Sequence, residues 1–317
     1  MRRVLTLAAV AIGAGLLVAG SEARARSATP QNQLRIEELW REPHDIAAQN
    51  LFDGPWGRAL APDPRSSYRF RRSERIGVNP GMTVVDTLGR EWNVKQAPHY
   101  GRLAEGPLEV VLSRVLSAVG YHQPPVYFLP VFTLKDTFGT RREAGGRFRL
   151  QRPDLSERET WDWRNNPFVG TRPYNGLLVI LAMFDSADLK SANNRVYEHT
   201  TTPGSVERWY VVRDLGATLG SRVRASAGDS ERFAAFPFHT GTDTGYVQFA
   251  HTGRQGDLLR DRITPDDVRW ACQLLAQLTD AQWRDAFRAG GYGQADVDRF
   301  TQRLRDQIAE GLTMGAD

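Results

Sequence analysis

Two short polar stretches hold the residue types that could do chemistry. Asp188-Leu189-Lys190-Ser191-Ala192-Asn193 sets a carboxylate, an ammonium and a carboxamide directly after the apolar run 174–184. The five-residue step from Asp188 to Asn193 allows one loop to present both side chains toward a single metal–phosphate centre. The second stretch, Asp214-Leu215-Gly216, follows the extended segment 209–212. Far upstream, Lys95 ends Trp92-Asn93-Val94-Lys95. Lysine occurs only at Lys95, Lys135 and Lys190, so 38 of the 41 basic residues are arginine. A lysine kept in such a chain supplies a compact ammonium on a flexible stem, where arginine would supply a planar fork.

The elements that must position these groups follow from patterning. Residues 83–86 and 91–95 alternate apolar and polar around Thr87-Leu88-Gly89-Arg90, which predicts a hairpin with Lys95 at the end of its second strand. Leu108, Val111, Leu112, Val115, Leu116 and Val119 recur at helical spacing, with Pro107 at the start, Gly120 past the end and Glu109 in the first turn. Residues 121–134 are aromatic and β-branched but interrupted by Pro124, Pro125 and Pro130, as at a sheet edge, and 145–151 predicts one more strand. Residues 174–184 predict a buried helix. Segments 195–197 and 209–212 predict paired strands flanking a turn. Residues 217–262 are rich in Gly, Ser, Thr and His and predict a long irregular segment. Thr264-Pro265-Asp266-Asp267 and Thr279-Asp280-Ala281-Gln282 are helix starts, and a further helix is expected over 294–309. Residues 34–40 also look helical and belong to an N-terminal extension packed on the main body.

Composition narrows the class. With 317 residues, 41% hydrophobic and 25% charged, the chain has material for a real core and a length prior of about two domains. The charge of +4 is not gathered into the basic stripe of a nucleic-acid binder, which sets nucleic acid aside as a partner. The single cysteine, Cys272, excludes an intrachain disulfide framework and a multi-thiolate zinc site. His239, Asp243 and His251 match no standard metal-site spacing, and no G-x-S-x-G supports a hydrolase nucleophile. Residues 1–25 combine Arg2 and Arg3, an apolar run and Ala23-Arg24-Ala25, the pattern of a secretory signal peptide. The expectation is therefore an exported protein, periplasmic or secreted, with an uncleaved N-terminal anchor as the alternative. No later apolar run is long enough for a bilayer span.

Taken in order, Lys95, a helical glutamate at Glu109, Asp188-Leu189-Lys190-x-x-Asn193 and Asp214-Leu215-Gly216 resemble the protein-kinase-like superfamily. The resemblance covers 83–216, with helices following as in that family's large lobe. It implies a two-lobed α+β fold, with a small antiparallel-sheet lobe carrying one helix over 26–152 and a large, mainly helical lobe over 153–317. It also implies ATP and Mg²⁺ as cofactors, an acceptor hydroxyl of unidentified origin, and catalysis by positioning and charge neutralisation. On that resemblance Lys95 contacts the α- and β-phosphates and is held by Glu109, for which Glu105 is an alternative. Asn193 and Asp214 ligate the metal, Asp188 takes the acceptor's proton, and Lys190 places positive charge near the transferring group.

Departures from the pattern point to an atypical branch, such as phosphatidylinositol-kinase-like, bacterial toxin-type or secretory-pathway kinases. Asp185-Ser186-Ala187 precedes Asp188 in place of His-Arg, which makes Asp185 an alternative or second acid. No G-x-G-x-x-G loop precedes the hairpin, where only Gly77 and Gly81 stand, and no A-P-E follows Asp214. The competing expectations are a catalytically inactive kinase-like scaffold of the cell envelope and a metal-dependent hydrolase that uses no nucleotide.

Overall fold

The computed structural model describes residues 35–74, 81–96, 106–220, 228–251 and 253–315. The expected signal segment, Gly77 and Glu105 lie outside these residues. Within the compact unit Leu34–Asp317 the class is α+β, as expected.

Five strands close into a small barrel. They are β1 (Ser67–Glu74), β2 (Gly81–Val85), β3 (Glu91–Gln96), β4 (Val126–Asp136) and β5 (Gly139–Gln151), in the order β1-β2-β3-β5-β4. The hairpin around Gly89 is β2–β3, pairing Val85 with Glu91 and Gly81 with Lys95. The edge expected over 121–134 is only half correct. Pro130 sits where β4 has β5 alone as a neighbour and so loses no ladder bond, but Thr133, Leu134 and Lys135 pair in parallel with β1 and shut the barrel. Alternate residues, among them Tyr68, Val84, Trp92, Val94, Phe132, Phe148 and Leu150, fill the interior.

A second apolar centre gathers the helices. Helix α1 (Gly106–Ala118) turns Leu108, Val111, Leu112, Val115 and Leu116 into it. Helix α2 (Arg172–Met183) starts at the Thr171 cap and is buried from Tyr174 to Met183, as the unbroken apolar run requires. Helices α3 (Ser230–Ala234), α4 (Pro265–Leu275), α5 (Asp280–Ala289) and α6 (Gln294–Leu312) complete this layer. The two threonine caps are reciprocal capping boxes, Thr264 with Asp267 and Thr279 with Gln282. Trp161 and Trp163 pack edge to face at 4.7 Å inside this centre.

A separate sheet carries the polar loops. Its three antiparallel strands are β6 (Leu155–Glu157), β7 (Asn194–Thr202) and β8 (Ser205–Val212). Two expectations fail in detail. Over the described part of 34–40, residues 35–40, the helical structure is a single 3₁₀ turn, Ile36–Glu38, although Leu39, Ile46 and Leu51 of this extension join the helical core. The segment 217–262 is more ordered than its composition implies, holding α3 and the hairpin β9 (His239–Asp243) and β10 (Tyr246–Phe249). Thr244 and Gly245 turn that hairpin with φ of 47° and 86°, the left-handed pair of a tight turn.

Candidate active site

Strand alternation gives β3 and β5 one dry and one polar face. Trp92, Val94, Phe148 and Leu150 enter the barrel, so Asn93, Lys95, Arg147 and Arg149 share the other side, with Lys95 opposite Arg147 and Asn93 opposite Arg149. Arg147 is fully buried. Its Nη1 donates to Asn93 Oδ1 at 3.0 Å, and its Nε lies 3.1 Å from Glu109 Oε2 on α1. Burial pushes the Arg147 guanidinium's pKa down and the Glu109 charge opposes that shift. Asn93 in turn donates to Glu74, which also accepts from Thr83 Oγ1 at 2.9 Å.

The expected Lys95–Glu109 contact is therefore replaced. Glu109 is committed to a buried arginine, and the Lys95 ammonium donates to Asp214 Oδ1. The sequence could not disclose this, because Arg147 becomes the nearer cation only once β5 is in register beside β3.

Two backbone connections bring the polar loops side by side. Asn194 pairs with Val212 across β7 and β8, which sets Asn193 beside the exit of the strand leading to Asp214. At the other end Ala187 N–H donates to Ala217 O at 2.7 Å, and Arg254 N–H donates to Ala187 O at 2.8 Å. The loop is thus pinned from both sides, with Asp188 bridged to Arg254. Within it, Asn193 Nδ2 donates to the Asp188 carbonyl at 3.1 Å and Lys190 Nζ lies 2.6 Å from Asp188 Oδ2. Asp188 Oδ1 is buried and accepts no hydrogen bond among the described residues.

Backbone strain marks the same positions. Asp185 and Asp214 have φ of 48° and 54°, in the left-handed region that costs a non-glycine residue of order 1–3 kcal/mol and persists where the surroundings impose it. Asp185 is only 1% exposed, so its carboxyl lies inside the protein and not on the open loop with Lys190.

Electrostatics favour an ionised Asp214. Burial pushes its pKa up, but the charge of Lys95, followed by those of Arg149 and Arg147, holds the carboxyl well below the usual carboxylate range. Beside it Arg213 pairs with Glu157 and donates to Tyr197 Oη at 2.9 Å. Sequence reasoning missed Arg147, Arg149, Arg213 and Glu157. The available signal was the Arg147-x-Arg149 alternation in a strand able to lie next to Lys95.

Among the described residues no group of three His, Cys, Asp or Glu side chains is placed to hold a metal ion, which removes His239, Asp243 and His251 as a cluster. Asp214 and Asn193 nevertheless offer the hard oxygen donors that suit Mg²⁺, an ion bound through one or two protein oxygens together with phosphates. The orphaned Asp188 Oδ1 adds an acceptor with no internal partner. The donor set therefore fits a Mg²⁺–phosphate ligand better than a bare, fully caged metal. No helix of the described residues is long and apolar enough to cross a membrane.

No protein-family model matches this sequence, and no curated protein matches it. Solved structures of similar fold include the proinflammatory kinase CtkA of Helicobacter pylori, at 9% identity and a TM-score of 0.48 over 78% of this chain and 97% of that one. The Golgi casein kinase is similar at 10% identity and a TM-score of 0.39, over 80% of this chain and 74% of that one. The Rio2 kinase of Chaetomium thermophilum, in its ADP/Mg²⁺-phosphoaspartate complex, is similar at 13% identity and a TM-score of 0.32, over 77% and 72%. All three are kinases, and at these identities the likeness concerns fold alone.

Proposed function

We propose that this chain is a phosphotransferase that binds a Mg²⁺–nucleotide, ATP in the first instance, and moves the γ-phosphoryl group to an acceptor hydroxyl. The observation that carries the reading is the juxtaposition of the Lys95–Asp214 ion pair with the Asp188–Asn193 loop, stitched together by the Asn194–Val212 pair and the Ala187–Ala217 bond.

In this reading each group has a definite task. The Lys95 ammonium neutralises phosphate oxygens at the mouth of the barrel, and Asp214 and Asn193 supply oxygens to the cation. Bound Mg²⁺ supplies charge neutralisation across the phosphates. Asp188 orients the acceptor hydroxyl through Oδ1 and takes its proton as the new O–P bond forms and the β–γ bridging bond breaks. Lys190, held on Oδ2, keeps that carboxylate in place. Arg147 and Glu109 fix the strand face on which Lys95 stands. Export through residues 1–25 belongs to the proposal as well, and its direct check is the N-terminal sequence of the protein recovered outside the cytoplasm.

The test is thermal unfolding of the purified chain with and without MgATP, since a ligand of the folded state raises Tm by mass action. A rise present in the wild type and absent in Lys95→Ala and Asp214→Ala is expected. Transfer of γ-phosphate, lost in Asp188→Ala while the MgATP-induced rise in Tm persists, would separate an enzyme from a scaffold. No rise with MgATP in the wild type would end the reading.

A further inference from the structure

We propose that Arg149 is a phosphate-binding residue, the unpaired cation of a subsite for a phosphoanhydride, meaning a di- or triphosphate group. The inference deepens the nucleotide reading above and rests on it for the identity of the ligand, though not for its chemistry.

Ion pairs around the site account for its carboxylates. Glu109 is paired with Arg147, Asp214 with Lys95, and Glu157 with both Arg213 and Arg195. Each of these carboxylates is already matched, and Arg149 is left over. Its residue is only 9% exposed, its Nε and Nη1 are buried without a hydrogen-bond partner, and it is ion-paired with no carboxylate among the described residues. Its charge is nevertheless felt at the site, since it helps hold both Asp214 and Glu157 ionised.

A buried guanidinium with unused donors is costly, because its Nε and Nη1 have given up water and received no acceptor in return, while Asp214 and Glu157 act on its charge only from beyond ion-pair distance. Such a group is stable in place when a ligand supplies the anion. The position indicates what kind. Arg149 lies on the strand face that carries Lys95 and Arg147, opposite Asn93 and two residues along β5 from Arg147. The strand rise separates those two arginine positions by about 7 Å, a longer span than one carboxylate covers. Arg147 is occupied by Glu109 and Asn93, whereas Lys95 holds its carboxylate with a mobile stem. Lys95 and Arg149 can therefore share one polyanion. A guanidinium fork matches phosphate oxygens two at a time, which a single ammonium does not.

The experiment compares wild type, Arg149→Met and Arg149→Lys by thermal unfolding and calorimetric titration with inorganic tripolyphosphate, ATP and adenosine, each with Mg²⁺. Arg149→Met removes both the charge and the unused donors, whereas Arg149→Lys keeps the charge and removes the fork. The affinity of Arg149→Met for tripolyphosphate and ATP should fall about ten- to hundredfold, the scale of a charge-assisted contact, with adenosine unaffected and Arg149→Lys between.

Tripolyphosphate affinity unchanged in Arg149→Met overturns the inference, whatever the ligand-free Tm. If ATP binds in a Lys95-dependent way and Arg149→Met binds it as tightly as wild type, this inference fails and the nucleotide reading stands. If tripolyphosphate binding depends on Arg149 while ATP does not bind, the subsite stands, the nucleotide reading fails, and the phosphate belongs to the acceptor. Should Arg149→Met not fold, the comparison of wild type with Arg149→Lys decides: equal tripolyphosphate affinity in the two, with no gain from the fork, refutes the assignment.

Discussion

Replacing Glu109 by Gln separates two accounts of the same residue. If Glu109 held the partly exposed Lys95, the substitution would break an accessible ion pair worth roughly 0–1 kcal/mol. In the structure it pairs instead with Arg147, whose side chain is 0% exposed, and the glutamate side chain is itself only 8% exposed. Removing one partner of a buried pair strands the other charge and costs about 3–5 kcal/mol. Among the described residues the other carboxylate acting on Arg147 is Asp214, which is already held by Lys95, and Arg149 adds a like charge nearby. For a folded unit of about 280 residues the unfolding entropy converts this loss to a fall in Tm of about 5–8 °C. Differential scanning calorimetry of wild type, Glu109→Gln, Arg147→Met and the double variant measures it. The double variant, which strands no charge, should recover most of the loss. A fall below about 2 °C in Glu109→Gln, or additive losses in the double variant, would refute the buried pairing.

Two further outcomes follow from packing and titration. His122 stacks flat on Trp209 at 4.6 Å and its Nε2 donates to the Glu37 carbonyl at 2.7 Å. Burial, aided by Arg41 and His199 and opposed by the Glu37 bond and Glu207, pushes its pKa from 6.5 down to about 4. The unfolded chain therefore binds this proton at a higher pH than the folded one, so stability falls as pH drops from 6.5 toward 4 and is insensitive to this group above that window. His122→Phe keeps the stack and removes the proton site, so its Tm should fall less between pH 7 and 5 than that of wild type; equal slopes would exclude His122 as the cause. At Gly176 an added Cβ would run into the Trp270 ring where α2 meets α4. Alanine gains about 1 kcal/mol of helix propensity there, but overpacking costs 1–3 kcal/mol, so Gly176→Ala should be net destabilising by roughly 1 kcal/mol in urea unfolding.

What the sequence made legible is what depends on local spacing. The β2–β3 hairpin, the buried α2, the threonine-capped α4 and α5, and the Asp188–Asn193 step all follow from residues close in the chain. Partner choice did not. Glu109 could be placed on a helix, but whether it meets Lys95 or Arg147 is set by the register of β3 against β5, a contact between segments about fifty residues apart. The hairpin β9–β10 was hidden for another reason. His239-Thr240-Gly241-Thr242-Asp243 lacks the apolar alternation that marks a half-buried strand, and only Val247 of the facing strand is fully buried.

The division of labour between the two cation types links composition to the site. Arginine supplies the charges that must stay put. Arg147 is locked by Glu109 at Nε and Asn93 at Nη1, and Arg213 by Glu157 and Tyr197, both at Nη1, contacts that are lost if the guanidinium swings. Two of the three lysines take the other role. Lys95 and Lys190 each hold a single carboxylate, Asp214 and Asp188, while Lys135 lies exposed on β4. A point charge on a flexible stem can leave a carboxylate for a phosphate without rebuilding the strand beneath it. Such exchange is what a site must do if it binds a polyanion and later releases it. On the proposed function, the placement of Lys95 beside Asp214 and of Lys190 beside Asp188 has a physical explanation: the paired arginines Arg147 and Arg213 are fixed charges, and the lysines are exchangeable ones.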